Sequence, residues 1–417
     1  MLPSLANIFA SFLAKSIFKS NMSTNASVTP FPGVFTSSVT PASLPWDTYN
    51  YCNASHVNAN HYERPPQAKD AKLVFVNVVQ RHHKRTPDNL YPDENVFNPA
   101  SGWDCSNYQQ ISYGVGADQD ANLQGHGIYR KIENPSWHPL NSIIWNGTCD
   151  QGTLTADGLR DSIQHGRDFW SVYGPWGRNP LLHQGINQRD VYFRTSNSAR
   201  TYQVSGGLLT GMDGWTSPGN FPVHTQPSNM DDIVPNYSCG YANGFRSYEQ
   251  SLPAWNDHLN SKLALATVTT CPRTRATGQS ISQDLANQAY NEGYWEYDYI
   301  WNSGASADDY VKYGSGVYKL KYYVGHDGTM VRLYKSLGLA GQFKWPAMSS
   351  EVVIEVYEQK GQHFVRILKD GKTMQTVNKD LASDAQGNIA WTPLKKVTAY
   401  LDSRVLKDIY SKCVLGK

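Results

Sequence analysis

The stretch that most constrains this chain runs from Lys72 to Pro87. Its first half, Lys-Leu-Val-Phe-Val-Asn-Val-Val-Gln, is an apolar, β-branched run bounded by charge, and that pattern predicts a short strand buried on both faces. Its second half, Arg81-His82-His83-Lys84-Arg85-Thr86-Pro87, sets two arginines around a histidine pair where the strand should end, and Pro87 stops it from continuing. In open α/β sheets, sites collect beyond the carboxyl ends of strands. Arginine forks match phosphate oxygens bidentately and a neutral imidazole is a nucleophile, so this turn suits phosphoryl transfer.

The run resembles the Arg-His-Gly-x-Arg-x-Pro signature of the histidine acid phosphatases, the branch of the histidine phosphatase superfamily that includes phytases. Two later stretches fit the same pattern in the same order. Arg194-Thr195-Ser196-Asn197-Ser198-Ala199-Arg200-Thr201 is similar to the family's second arginine motif, and Gly325-His326-Asp327-Gly328-Thr329 to its His-Asp motif. One departure is plain: His83 stands where the family has glycine.

The resemblance implies an α/β fold, a mixed central sheet flanked by helices (a phosphoglycerate-mutase-like core) with an inserted, mainly helical cap. It implies a phosphate monoester as substrate, with no cofactor and no metal. His82 is the expected nucleophile, forming a phosphohistidine that water hydrolyses. Arg81, Arg85, Arg200 and His326 are the expected phosphate-binding groups, and Asp327 the acid that protonates the departing alkoxide. Neighbouring arginines should disfavour the imidazolium of His82, and a bound phosphate should raise the Asp327 carboxyl, so activity should favour acidic pH. His83 would be accessory, either adding a phosphate contact or narrowing the pocket. Arg194 is read as structural support outside the site.

Two other readings belong beside this one. The substitution at His83 suits a phosphate-ester binder with little or no turnover, although such a binder needs neither nucleophile nor acid. A phytase-type inositol phosphate hydrolase is the other.

At 417 residues the chain can bury a large core. A net charge of +2 offers no surface for nucleic acid as a whole, so any positive field is local. Cys52, Cys105, Cys149, Cys239, Cys271 and Cys413 contain no Cys-x-x-Cys pair, which argues against zinc and leaves three disulfides of open connectivity. Nor do His165, His183, His224 and His258 have ligand spacing. Glycosylation triplets begin at Asn21, Asn25, Asn53, Asn146 and Asn236 and, with the cysteines, favour a secreted or vacuolar protein. Leu5 to Ala14 reads as an atypical signal peptide, with a disordered cytosolic extension as the alternative. It is too short to span a bilayer, so no stable membrane insertion is expected. Nothing in the sequence indicates an oligomeric state.

The organisation along the chain follows. Residues 1–67 form the signal-like segment and an extended arm rich in Ser, Thr, Pro and Asn. Residues 68–211 and 305–417 form the α/β core, within which 88–140 is a loop-rich excursion; 212–304 forms the helical cap. Thr155 is a suitable N-cap for a helix with Leu159, Ile163 and Trp170 on its apolar face. Asp190–Arg194 and Val317–Val324 read as further strands, with helices starting beside Ala199 and running from Thr329 to a stop at Gly338. Antiparallel strands over Glu351–Glu358, Gln362–Leu368 and Thr373–Val377 close the chain, the last pair turned by Asp370-Gly371. The aromatic cluster Tyr290, Tyr294, Trp295, Tyr297, Tyr299 and Trp301 is assigned mainly to packing of the cap.

Overall fold

A computed structural model describes residues 53–86, 147–213, 221–227, 318–341 and 344–404, together with 45–49 and short pieces within 104–139 and 231–253. The signal-like segment, most of the loop-rich excursion, nearly all of the cap and the aromatic cluster at 290–301 lie outside the described residues.

The run that opens the sequence argument is β1, Lys72–Arg81, and it is buried almost from end to end. Both its faces are covered. Phe75 and Val79 join one apolar cluster, and Val76 and Val78 join another on the opposite side. Each such side chain contributes about 1.5–3 kcal/mol when fully buried, so two covered faces hold this strand firmly in the middle of the sheet.

The remaining elements are α1 (Ala156–Tyr173), β2 (Val191–Thr195), α2 (Ala199–Asp213), β3 (Val223–His224), β4 (Leu320–Gly325), α3 (Asp327–Ser336), β5 (Glu351–Gln359), β6 (Gln362–Lys369), β7 (Lys372–Thr373), β8 (Thr392–Pro393) and α4 (Leu394–Arg404). These strands form one mixed sheet in the order β8-β6-β5-β1-β4-β2-β3, with β7 paired to β6, and Ile111–Ser112 and Gly127–Ile128 form a separate antiparallel pair. The β1, β4, β2 and β3 pairings are parallel, whereas β5 runs antiparallel to β1 and β6 antiparallel to β5. This is the mixed sheet flanked by helices that the family resemblance implied. Helices α1 and α2 contribute Phe169, Val172, Val204 and Leu208 to one face, and α3 and α4 contribute Met330, Leu333, Val397 and Leu401 to the other.

Several local expectations meet the structure closely. Thr155 caps α1, its hydroxyl accepting the Gly158 N–H at 3.1 Å. Asp370 and Gly371 both take positive φ, as the tight turn between β6 and β7 requires. Gly338 ends the third helix at φ 65°. Helix α4 went unread, and β7 stops at Thr373 rather than reaching Val377.

The buried face of α1 is not the one its apolar residues suggested. Gly158, Asp161, Ser162, His165, Gly166, Phe169, Val172 and Tyr173 point inward, while Leu159 and Trp170 are only partly buried at the flank. The reason is close helix approach. A Cβ added at Gly166 would lie 2.2 Å from the Leu208 carbonyl oxygen, and one at Gly211 would lie 2.1 Å from that of Ile163. Helices this close leave room between them only for glycine and small side chains.

The arm is also less free than its composition suggested. Ala54, Val57, Tyr62 and Ala68 are buried, and the Val57 N–H donates to Glu351 at 2.8 Å. Asn53 is only 6% exposed and accepts from the Ser349 hydroxyl at 3.0 Å, so the glycosylation triplet there is closed to a glycan in the folded chain. One disulfide, Cys105–Cys149, is described; the other four cysteines lie outside the described residues.

Because backbone carbonyls rather than flexible side chains oppose a methyl at both glycines, Gly211→Ala is expected to destabilise the chain by roughly 1–3 kcal/mol. Urea unfolding measures this, and an unchanged midpoint would mean that the helices part without cost.

Candidate active site

The three parallel strands β1, β4 and β2 are neighbours and end level with one another. Arg81 pairs with Gly325, and Thr195 with Val324. The ladder runs on into the turns, where the His82 N–H donates to the Gly325 carbonyl at 3.0 Å and the Ser196 N–H to that of Val324 at 3.3 Å. Three segments far apart in sequence therefore open onto one edge of the sheet. A Cβ at Gly325 would sit 2.7 Å from both Ile233 and Thr329, so glycine is required where the β4 turn is packed.

At that edge the rings of His82 and His326 lie 5.4 Å apart, edge to face. His82 is 1% exposed. Its Nδ1 lies 2.9 Å from the His83 carbonyl oxygen, which can only accept, so Nδ1 carries the proton and Nε2 keeps its lone pair. Burial, and then the charges of Arg85, Arg200 and Arg81, hold the imidazole well below its usual pKa. The ring is neutral in mild acid, as the arginines of the motif suggested.

Arg81 is fully buried and reaches Asp327 through Nη2 at 2.8 Å, while Nη1 donates to the Pro346 carbonyl. Arg85 bridges to Leu154 at the entry to α1, and its Nη1 donates to the Thr86 carbonyl at 2.9 Å. Arg200 stands in the first turn of α2, where free N–H groups and the helix dipole already favour an anion. Its guanidinium lies 3.3 Å from the Gly152 carbonyl oxygen and 3.4 Å from His326 Nδ1. A guanidinium only donates, so His326 Nδ1 accepts, and Nε2–H donates to the Ser196 hydroxyl at 2.7 Å.

Ser196, given in the sequence only as a member of the second arginine motif, fixes the second imidazole. Burial and then Arg200 push His326 below its usual pKa.

Asp327 opens α3, with its side chain 22% exposed and its Oδ1 accepting the Gly328 N–H at 2.9 Å. Burial by itself would raise its carboxyl, but Arg81 and then Arg85 outweigh that and hold it below the usual carboxylate range. The expectation of a raised carboxyl is tied to a bound phosphate, which would compete for the same guanidinium groups.

His83 is placed otherwise than expected. It too is 1% exposed, but its ring nitrogens face Gln80 and His165 in the core behind the turn. Nor does the turn need a left-handed residue there: among the described residues only Ser349, Lys360 and Asp370 combine a side chain with positive φ. Arg194 stands clear of the pocket. It pairs with Asp231 at 3.0 Å; Asp231 accepts the Ile233 N–H, and the Ile233 carbonyl accepts from Thr329 at 2.6 Å. That strut ties β2 to the first turn of α3. Among the described residues, no group of three or more His, Cys, Asp or Glu side chains could hold a metal ion.

A family profile described as the histidine phosphatase superfamily (branch 2) matches residues 72–292, more than half of the chain. The chain belongs to that superfamily. Membership implies a phosphate ester as the class of substrate. The matched segment holds the first two turns of the pocket, whereas His326 and Asp327 lie beyond it and join the site through the β4 pairing.

Counting factor 60 of Dictyostelium discoideum is 23% identical over 350 residues, covering 72% of this chain and 80% of that protein. Lysophosphatidic acid phosphatase type 6 of Bos taurus is 22% identical over 354 residues, covering 74% and 80%. Among solved structures, a Klebsiella phytase aligns with 82% of this chain and 98% of its own at a TM-score of 0.48 and 13% identity. No described helix is long and apolar enough to cross a membrane.

The same burial sets an acid limit to stability. His82, His83, His165 and His326 are all held below their usual pKa. Below about pH 6.5 an unfolded chain protonates these rings while the folded chain does not, so stability rises with pH through that window. Glu351, pushed by burial up to about 7, and His56, which its bond to Asp168 raises against burial, oppose this. The apparent Tm is expected to fall by roughly 5 °C or more between pH 7 and pH 5. Inorganic phosphate should restore much of the loss by binding the folded state. Scanning fluorimetry across that range, with and without phosphate, tests both parts.

Proposed function

We propose that the chain is an acid phosphatase that hydrolyses phosphate monoesters through a phosphohistidine at His82. The observation that carries this reading is the convergence of His82 and His326, rings 5.4 Å apart, with Arg81, Arg85, Arg200 and Asp327 around them. The guanidinium groups receive the non-bridging oxygens and stabilise charge that is redistributed rather than created, and His326, protonated beside the bound dianion, adds an Nδ1–H donor. The Nε2 lone pair of His82 attacks phosphorus, and the ester P–O bond breaks. Asp327 gives its proton to the departing alkoxide, leaving an alcohol and a carboxylate. Water then attacks the phosphohistidine, Asp327 takes up its proton, and inorganic phosphate leaves with neutral His82 regenerated.

Binding prepares the acid. A dianion beside Arg81 draws that guanidinium from Asp327 and raises the carboxyl that Arg81 otherwise holds down. The alternative of a binder with little or no turnover rests on His83, and its side chain turned away from the pocket supports turnover instead. Lysophospholipid, inositol and sugar phosphates form the substrate panel for phosphate-release assays. The first is included because three relatives are named for lysophosphatidic acid.

His82→Ala is expected to abolish an acid-labile, base-stable phosphoenzyme and to lower kcat by about 1000-fold or more. Label trapped from [32P]-substrate reads this, and label that persists would place the nucleophile elsewhere. Asp327→Asn should slow alkyl phosphates by roughly 100- to 10,000-fold, yet p-nitrophenyl phosphate by less than about 10-fold, because nitrophenolate leaves without a proton. Equal losses on both substrates would refute the acid role.

A further inference from the structure

The family's glycine position holds a residue whose side chain is built into the core. His83 Nδ1 lies 3.4 Å from the Gln80 amide nitrogen, and His83 Nε2 lies 3.3 Å from His165 Nδ1. His165 Nε2 lies 3.0 Å from Glu351 Oε2, and the other oxygen of Glu351 accepts the Val57 N–H. At the far end, Tyr322 donates its phenol hydrogen to Gln80 Oε1. These partners give the chain one direction. With its oxygen engaged by Tyr322, Gln80 presents its NH2 group to His83 Nδ1. His83 then donates from Nε2 to His165, which donates from its own Nε2 to Glu351 Oε2.

The neighbouring groups hold that chain in place. His56 stacks on His165 at 4.0 Å and is itself paired to Asp168 at 2.7 Å, while His83 and His165 meet edge to face at 5.3 Å. The chain does not touch the phosphate pocket with a side chain. Its link to the pocket is the peptide carbonyl of His83, which receives the Nδ1 proton of His82.

We propose that His83 is a positioning residue: its imidazole, gripped between Gln80 and the His165–Glu351 pair, fixes the carbonyl that holds His82 in the Nδ1–H tautomer with Nε2 aimed at phosphorus. The inference rests on the phosphatase reading above. In this chain glycine would leave the space shaped for the imidazole unfilled and remove the hydrogen bonds that hold the peptide against rotation. A rotated carbonyl releases the His82 ring both from its tautomer and from the line of attack. A misplacement of about 1 Å at a nucleophile costs on the order of 100-fold in rate, although ground-state binding to the arginines is untouched.

The test compares the wild-type chain with His83→Gly, His83→Gln and His165→Asn. Glutamine can accept from Gln80 and donate to His165, so it should rescue. Each protein is assayed for kcat on p-nitrophenyl phosphate, for the inhibition constant of inorganic phosphate, and for the His82 tautomer by 15N NMR. The glycine and His165→Asn variants should lose about 10- to 100-fold in kcat. Phosphate inhibition should stay within about threefold, the His82 nitrogens should report a mixture of tautomers, and His83→Gln should lie near wild type.

A glycine variant with wild-type kcat and tautomer overturns the proposal. So does a parallel loss of kcat, phosphate affinity and Tm, which would make the role merely structural. Should His83→Gly not fold, a glutamine variant that fails to rescue together with an unaffected His165→Asn decides against it equally. A wild-type chain that neither releases phosphate nor forms a phosphoenzyme refutes the phosphatase reading itself, a result distinct from all of these.

Discussion

The parallel pairing of β1 with β4, and of β4 with β2, is the interaction on which the rest depends. Because the ladder ends with Arg81 opposite Gly325 and Thr195 opposite Val324, the three turns beyond it leave the sheet side by side. The His82 N–H to Gly325 bond extends that pairing into the first turn, so the backbone itself sets the height of the His82 ring above the sheet. A slip of one residue in β4 would turn its side chains to the opposite faces and carry His326 out of reach. The packing of α1 against α2 through Gly166 and Gly211 serves the same end, since it fixes the helix whose first turn carries Arg200.

Burying arginine beside histidine divides the charge states sharply. The guanidinium groups remain charged at any working pH, so the imidazoles next to them yield and stay neutral. That is what a nucleophilic ring needs, and it sets up the tension with acid described above. The carboxyl of Asp327 feels the opposite pull: the Arg81 contact holds it ionised. In the proposed mechanism the substrate dianion resolves that conflict, because it supplies the negative charge that Arg81 otherwise takes from Asp327. Substrate binding and arming of the acid then become one event.

Behind the turn lies a second polar layer. Gln80, His83, His165 and Glu351 are buried, yet each meets a partner that matches its hydrogen-bonding direction. Apolar side chains of similar volume would fill the space more simply. A directional network instead specifies one arrangement of the peptide it holds, and the peptide held here is the one that orients His82.

The position and burial of β1, the cap on α1, the Asp370-Gly371 turn and the start of α2 could all be read from local pattern, because propensity and capping act over a few residues. The three motifs were legible for the same reason, each being a short run of residues with a definite chemistry. The inward face of α1 was not. Gly158, Ser162, His165, Phe169 and Val172 recur at helical spacing, but an apolar count passes over glycine, serine and histidine, and only the nearness of α2 shows why small residues belong there. Ser196 as the anchor of His326, Arg81 as the restraint on Asp327, and His83 as a core residue all arise from contacts across more than 80 positions of sequence. Sequence alone determined which chemical groups this protein carries and on which short elements they sit. Tertiary structure decided which of them face the pocket and with what charge, because direction and pKa depend on the neighbours that folding supplies.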